Sequence, residues 1–466
     1  MTGQKARIGV AGLGTMGAAL ALNIAEHGFR TAIWNRTGSV TEALAAGAGP
    51  LARNLVPCTD PAAFVAALER PRAILLMVPA GDAVDAQIEA LRPLLEPDDL
   101  TIDGGNALYR DTNRRHAAGH PLLGLGVSGG EEGARHGPSL MAGGDPAWWA
   151  RVEDVMLAIA ARAPDGEPCA ALLGPAGAGH FVKMVHNGIE YADMQMIAEI
   201  YGILRDGMSW DHERIGDAFA RWNEGRLRSY LVEITAAVCR ARDPETGLAM
   251  PEVILDRAGQ KGTGAWTVIE AQHLASPVPA IEAAVAARGI SARREARLAG
   301  EALFGPAPGP VEGIEPADLE AALIAGKVIA YAQGFGMLAA ARTHEGWDLP
   351  LPRIARIWRA GCIIRSAMLD DMARALEDDP DGDLIRTPHF AALLTESHGA
   401  LRRVVARAAE AGHPCPALAS GLAWFDAMRT GRGTANLIQA QRDYFGRHGF
   451  ERADGRPGTH GPWADG

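Results

Sequence analysis

The sequence predicts an α/β Rossmann-type dinucleotide-binding domain, then a large all-α domain, then a C-terminal tail. Three observations carry this. Short aliphatic runs alternate with helical stretches over the early part of the chain, and from about His180 strand-like runs nearly vanish in favour of apolar residues at helical spacing. From Leu437 the chain becomes rich in Arg, Gly, His and Pro and loses periodicity after Phe445. The expected divisions are 1–178, 179–436 and 437–466, and 466 residues suit two or three domains at roughly 150 residues each.

Taken in order, Arg7 to Ala11 reads as a strand that runs into Gly12, Gly14 and Gly17, a G-x-G-x-x-G turn before the helical stretch Ala18 to His27. Such a turn lets a pyrophosphate approach the backbone at a helix N-terminus, where free N–H groups and the helix dipole favour an anion. Thr31 to Trp34 is the second strand. A carboxylate there would grip a ribose 2′-hydroxyl, but the chain reads Asn35-Arg36-Thr37, and a guanidinium suits a 2′-phosphate, so NADP is favoured over NAD. Ala73 to Val78, Leu100 to Ile102 and Leu122 to Val127 complete an open, doubly wound sheet whose ligands bind beyond the carboxyl ends of its strands.

The net charge of −11 argues against nucleic acid or an anionic membrane as the main partner. Five scattered cysteines without C-x-x-C spacing argue against a disulfide framework or a metal cluster, and no metal site is expected. The N-terminus runs straight into strand-like sequence, so no signal peptide is expected and the cytoplasm is the expected compartment. Ala321 to Ala341, the most apolar long stretch, contains Lys327 and Gln333 and is mostly Ala and Gly; it reads as a core helix and not as a membrane span.

The helical half holds the densest chemistry. At about 100° per residue, Asn187 lies about 40° from Lys183 on one side, with Glu190 about 20° and His186 about 60° on the other, so four polar residues share one face. Met184, Val185, Ile189 and Met194 are apolar, which makes this face the wall of a cleft. A lysine and a glutamate so placed serve as base and acid when their surroundings tune their proton affinities apart, and burial or neighbouring cations such as Lys261 or Arg288 would make Lys183 the base. Two Gly-rich segments, 126–133 and 256–266, offer backbone N–H groups, hydroxyls and an ammonium to a phosphate.

Together these segments make the chain resemble the 6-phosphogluconate dehydrogenase family over essentially its whole length. The resemblance rests on GLGTMG at 12–17, NRT at 35–37, IDGGN at 102–106, GVSGGEEGAR at 126–135 and GAGHFVKMVHNGIEY at 177–191. It continues through ILDRAGQKGTGAW at 254–266, WRAGCIIRS at 358–366 and NLIQAQRDYFG at 436–446. It implies oxidative decarboxylation of 6-phospho-D-gluconate to D-ribulose 5-phosphate and CO2 with reduction of NADP. It also implies that Lys183 is the base, that Glu190 protonates C1 of the enediol, and that His186 and Asn187 assist.

By the same resemblance Gly12, Leu13, Gly14, Thr15, Met16, Gly17, Asn35, Arg36, Thr37, Val78, Pro79, Ala80 and Asn106 would hold NADP. Asn106, Ser128, Gly129, Gly130, His186 and Asn187 would hold the sugar acid, and Tyr191, Lys261, Thr263 and Arg288 its phosphate end. Arg442 and His448 would complete the site of a neighbouring subunit, which implies a homodimer. Pro79 and Ala265 stand where the family commonly has lysines, so coenzyme affinity is where this chain departs. Two rival readings are a non-decarboxylating 3-hydroxyacid dehydrogenase, against which QKGTGAW and the tail speak, and a catalytically silent NADP-binding protein, against which Lys183, Asn187 and Glu190 together speak.

Overall fold

The computed structural model describes residues 4–260, 262–379, 381, 383–458 and 460–465. Eight strands form one sheet: β1 (Ile8–Ala11), β2 (Thr31–Trp34), β3 (Leu55–Pro57), β4 (Ala73–Leu76), β5 (Leu100–Asp103), β6 (Leu122–Ser128), β7 (Ser139–Gly143) and β8 (Ala170–Leu172). Their spatial order is β3-β2-β1-β4-β5-β6-β7-β8. The strand order therefore reverses between β1 and β4, the switch point where a doubly wound sheet opens its ligand crevice.

All neighbouring strands are parallel except β6 and β7, which run antiparallel. The sequence reading anticipated neither that hairpin-like reversal nor β3 and β8, which are short and end in Pro57 or Leu172. Buried on both faces, β1, β2, β4 and β5 read as continuous aliphatic runs, and these were legible. Helix α1 (Thr15–Glu26) follows β1 directly, starting earlier than the stretch at 18–27 because its first turn uses Thr15 to Gly17.

Helix α2 (Tyr109–Ala117) follows β5, and α3 (Ala178–Gly202) begins the helical half, so the expected division at 178/179 falls in its first turn. Then come α4 (Thr263–His273), α5 (Pro279–Ser291), α6 (Pro316–Glu345), α7 (Pro388–Glu410), α8 (Pro416–Met428) and α9 (Ala435–Gly446). Helix α6 starts on Pro316 behind a capping box in which Glu315 and Asp318 satisfy each other's backbone N–H, and stops at Gly346 in the left-handed conformation.

α3 lies between the sheet and α6, and small residues on both sides let it in. A Cβ on Gly334 of α6 would sit 2.4 Å from Ile189 Cδ1. Lys327 and Gln333, the polar residues of α6 that the sequence flagged, are both buried; Lys327 Nζ pairs with Asp193 of α3 and Gln333 Oε1 accepts from Ala280 N at 3.0 Å. The ion pair is sealed from solvent on both sides.

The tail is more ordered than its composition foretold. α9 straddles the expected boundary at 436/437, Arg447 turns the chain in the left-handed region, and the Asp443 carboxylate then gathers the rest. Gly449 N, Gly461 N and Trp463 Nε1 donate to it at 2.8, 2.8 and 2.9 Å, and the His460 ring lies 2.7 Å away. Leu437, Ile438, Tyr444 and Phe445 remain exposed.

Candidate active site

The Gly-rich turn after β1 is shaped by two contacts. Gly12 adopts φ +95° and a Cβ there would meet Met77 O at 2.5 Å, while a Cβ on Gly17 would meet Gly12 O at 2.0 Å. Only glycine fits. Gly14, by contrast, faces open space with nothing within 4 Å of an added Cβ, at the start of a helix with neither a side-chain cap nor an acidic residue in its first turn. This is a cradle fit for a pyrophosphate.

Asn35 ties the second strand to this turn, accepting from Leu13 N at 3.0 Å and donating to Thr37 O at 3.3 Å. Arg36 is exposed beside it, with Thr15 also exposed and Met16 half-buried. Val78 lies over the crevice, its Cγ1 3.1 Å from a Cβ on Gly12 and its carbonyl 3.2 Å from one on Gly105. Pro79 and Ala80 are exposed on the same rim. The residues present thus fit a dinucleotide.

The polar face of α3 meets the sheet through β6. Gly124, Gly126 and Ser128 point to one side of the strand, opposite His180, Lys183 and His186. A Cβ on Gly124 would lie 2.9 Å from His180 Nδ1 and one on Gly126 would lie 2.5 Å from Lys183 Cβ, while Ser128 Oγ lies 3.2 Å from His186 Nε2. Lys183 Nζ donates to Asn187 Oδ1 at 2.9 Å and sits 3.3 Å from His186 Nδ1. Asn187 Nδ2 in turn donates to Asn106 Oδ1 at 3.4 Å, and Glu190 Oε2 is 3.7 Å from His186 Nδ1.

Burial governs the electrostatics here. Lys183 is 7% exposed, and loss of water pulls its proton affinity down, against the opposing pull of Glu190 and Cys362. Burial pushes the Glu190 carboxyl above the ordinary carboxylate range, with Lys183 and Arg288 acting the other way. His186 is held well below its usual value by burial and the Lys183 charge, which keeps the imidazole neutral. Of the two causes expected for the Lys183 shift, burial and neighbouring cations, burial acts, and Arg288 bears on Glu190.

About one turn beyond Asn187, at Tyr191 of α3, a second polar cluster forms. Gly262 takes φ +93° and starts α4 on the buried Thr263, again without a side-chain cap or an early acidic residue. Arg288 of α5 stacks over the Tyr191 ring at 3.7 Å, and donates to Gly259 O at 3.0 Å. Thr267 Oγ1 reaches Met184 O at 2.7 Å, fixing α4 against α3. An uncapped helix start beside a guanidinium is a site for a phosphate. Lys261 lies outside the described residues.

Gly129 and Gly130 both take positive φ after β6, and a Cβ on Gly129 would clash with Gly361 O at 2.6 Å, whereas Gly130 is open. Met194, expected on the apolar side, is exposed at 40% and lies against Arg288. Arg442 and His448 are not brought to Lys183 by their own chain: Arg442 donates to Gln439 Oε1 at 2.9 Å and the His448 ring packs on Phe445.

Sequence reasoning missed the support beneath the site. His180 is held between Thr112 Oγ1 at 2.7 Å and the Asp103 carbonyl at 3.1 Å, and Cys362 is a buried thiol pushed up to about 12 by burial. Asp103, in turn, accepts from Arg115 Nη1 at 3.2 Å and from Gly105 N at 3.0 Å. A lone histidine or aspartate carries no periodic signal, so only the motif IDGGN pointed here.

Comparison with known proteins agrees with this geometry. Residues 7–174 match the family model described as the NAD binding domain of 6-phosphogluconate dehydrogenase, and residues 179–463 match the one for its C-terminal domain. A Bacillus subtilis NADP(+)-dependent, decarboxylating 6-phosphogluconate dehydrogenase is 47% identical over 99% of both chains. An Escherichia coli decarboxylating 6-phosphogluconate dehydrogenase is 44% identical over 99% of this chain and 100% of its own. Among solved structures, a Plasmodium falciparum 6-phosphogluconate dehydrogenase, described in its apo form and in complexes with NADP+ and with 6-phosphogluconate, superposes with a TM-score of 0.93 at 37% identity. It covers 98% of this chain and 100% of its own.

Proposed function

The chain belongs to the 6-phosphogluconate dehydrogenase family, and from that premise we propose how its own residues perform the reaction. It is an NADP-dependent oxidoreductase that converts 6-phospho-D-gluconate to D-ribulose 5-phosphate and CO2. The observation that carries the reading is Lys183: a buried amine whose proton affinity is lowered by burial, bonded to Asn187 on the wall of the crevice.

NADP, held at Gly12 to Gly17 and by Asn35, Arg36, Thr37 and the 78–80 rim, supplies the hydride acceptor for C3. Neutral Lys183 takes the proton of the C3 hydroxyl. The ketone so formed at C3 accepts the electron pair released when the C1 carboxylate leaves as CO2, and the ammonium of Lys183 returns its proton to the developing enolate oxygen. Glu190, whose proton affinity is raised by its burial, then delivers a proton to C1 of the enediol while neutral Lys183 takes the proton of the enol hydroxyl, which leaves the ketone. Asn106, Ser128, Gly129, Gly130, His186 and Asn187 hold the sugar acid; Tyr191, Lys261, Thr263 and Arg288 hold the phosphate.

We divide the chain into a coenzyme domain at 1–178, a helical substrate and dimerisation domain at 179–436 and a tail at 437–466. The tail presents the apolar residues Leu437, Ile438, Tyr444 and Phe445 to solvent and bonds Arg442 to Gln439 of its own helix, which supports a homodimer in which Arg442 and His448 enter the partner's site. The cytoplasm is the proposed compartment. The test is the purified protein with 6-phosphogluconate and NADP, following reduced coenzyme and CO2 together. One CO2 per NADPH is expected. NADPH without CO2 would favour the non-decarboxylating reading, and neither product the silent one.

A further inference from the structure

α2 bonds to both helices that carry the substrate site. Toward α3, Asn113 Oδ1 accepts from Gly177 N at 2.8 Å and Thr112 Oγ1 lies 2.7 Å from His180 Nδ1. Toward α4, Arg110 Nε donates to Glu270 Oε1 at 2.7 Å and Nη2 donates to Oε2 at 2.6 Å, a two-point fork. The Tyr109 hydroxyl is 3.0 Å from Glu270 Oε2 and 3.2 Å from Glu345 Oε1 at the end of α6. The Glu270 side chain is 3% exposed.

The placement of these contacts along α4 gives them leverage. Thr263 opens the helix at the phosphate cluster, Thr267 bonds α3 through Met184 O, and Glu270 lies beyond that bond, gripped by α2. With Thr267 as the fixed point, a shift at Glu270 moves Thr263 as well. Asn106, whose side chain bonds Asn187, lies shortly before Tyr109, the first residue of α2. One short helix therefore ties the sugar-acid end of the site to its phosphate end.

We propose that Arg110 and Glu270 form a positioning pair that sets the spacing between Lys183 and the start of α4, and so sets the preference for a phosphorylated sugar acid over its phosphate-free form. The proposal rests on the reading of Thr263 and Arg288 as phosphate ligands. Neither Arg110 nor Glu270 is among the residues assigned to the substrate.

The experiment compares kcat/KM for 6-phosphogluconate and for gluconate in the full-length protein. Glu270→Gln keeps size but replaces one acceptor oxygen by an NH2 facing the guanidinium. It should cut the ratio of the two roughly tenfold, less than the 10²-fold of a full ångström of misplacement, through a raised KM for 6-phosphogluconate with kcat retained. Arg110→Lys, at a half-exposed position that spares the fold, should lower the ratio in the same direction. Equal losses on both substrates in these variants mean a structural role only and overturn the proposal. Thr263→Val separates the premise: no change in its ratio rejects the phosphate reading, whereas a fall there with unchanged ratios for Glu270→Gln and Arg110→Lys rejects the positioning pair alone.

Discussion

Gly126 and Lys183 exclude each other's bulk: a methyl group on residue 126 would sit 2.5 Å from Lys183 Cβ and 3.0 Å from its Cγ. The lysine stem occupies the space that a side chain on β6 would fill. Gly126→Ala should therefore displace Lys183 from Asn187 and lower kcat by roughly 10²-fold, the cost of a misplacement near 1 Å. Steady-state rates with circular dichroism to verify the fold check this; an unchanged kcat would show that α3 yields without harm.

Lys183→Ala should lose more than the roughly 10²–10⁴-fold attached to one acid–base group, because the same amine takes and returns a proton. The wild-type pH profile should be bell-shaped. As pH falls through the lowered Lys183 value the base becomes charged and activity is lost; as pH rises through the raised Glu190 value the acid is spent. Glu190→Gln should remove the alkaline limb from the residual rate, and its persistence would assign that limb elsewhere.

Arg36 is exposed at the end of β2. Its replacement by Gln should raise KM for NADP about tenfold or more, the loss of a charge-assisted bond of about 1.5–3 kcal/mol, and leave KM for NAD nearly as it was. Equal changes for both coenzymes would reject its contact with a 2′-phosphate.

Arg442→Ala and Lys183→Ala should each be inactive or nearly so, yet regain part of the wild-type rate when subunits are exchanged. A mixed dimer holds one site with both residues intact. Absence of any regain, with exchange verified by mass, would place Arg442 outside a shared site.

Glu199 supplies a stability test. Its carboxylate accepts from Ala417 N and Leu418 N at 2.8 and 2.9 Å at the start of α8, yet burial raises its value from 4.5 to about 7. The folded state holds a proton that the unfolded chain releases, so the contribution is complete below 4.5 and is lost as pH rises through about 7. That interval corresponds to about 3 kcal/mol. Glu199→Gln should flatten the fall in urea midpoint between about pH 5 and about pH 8; an equally steep fall would assign it to other groups.

Much of this was legible in the chain itself. Strands with continuous aliphatic runs, the GLGTMG turn and the angular spacing of Lys183, His186, Asn187 and Glu190 all follow from local periodicity. β3 and β8 were not, because three residues carry no period. Which of the two expected causes shifts Lys183 was not either, since its burial is contributed by β6 from a distant part of the chain. For the same reason nothing local joins Tyr109 to Glu270, 161 residues apart.

α6 is 30 residues long and, by length and composition, apolar enough to cross a bilayer. What it carries within its length is Lys327, neutralised by Asp193 on α3. In hydrocarbon, away from that carboxylate, a central lysine costs about 2.5–3.5 kcal/mol on insertion scales. The buried pair thus acts as an address: it leaves this greasy helix with one environment in which its charge is answered, the interior of its own protein.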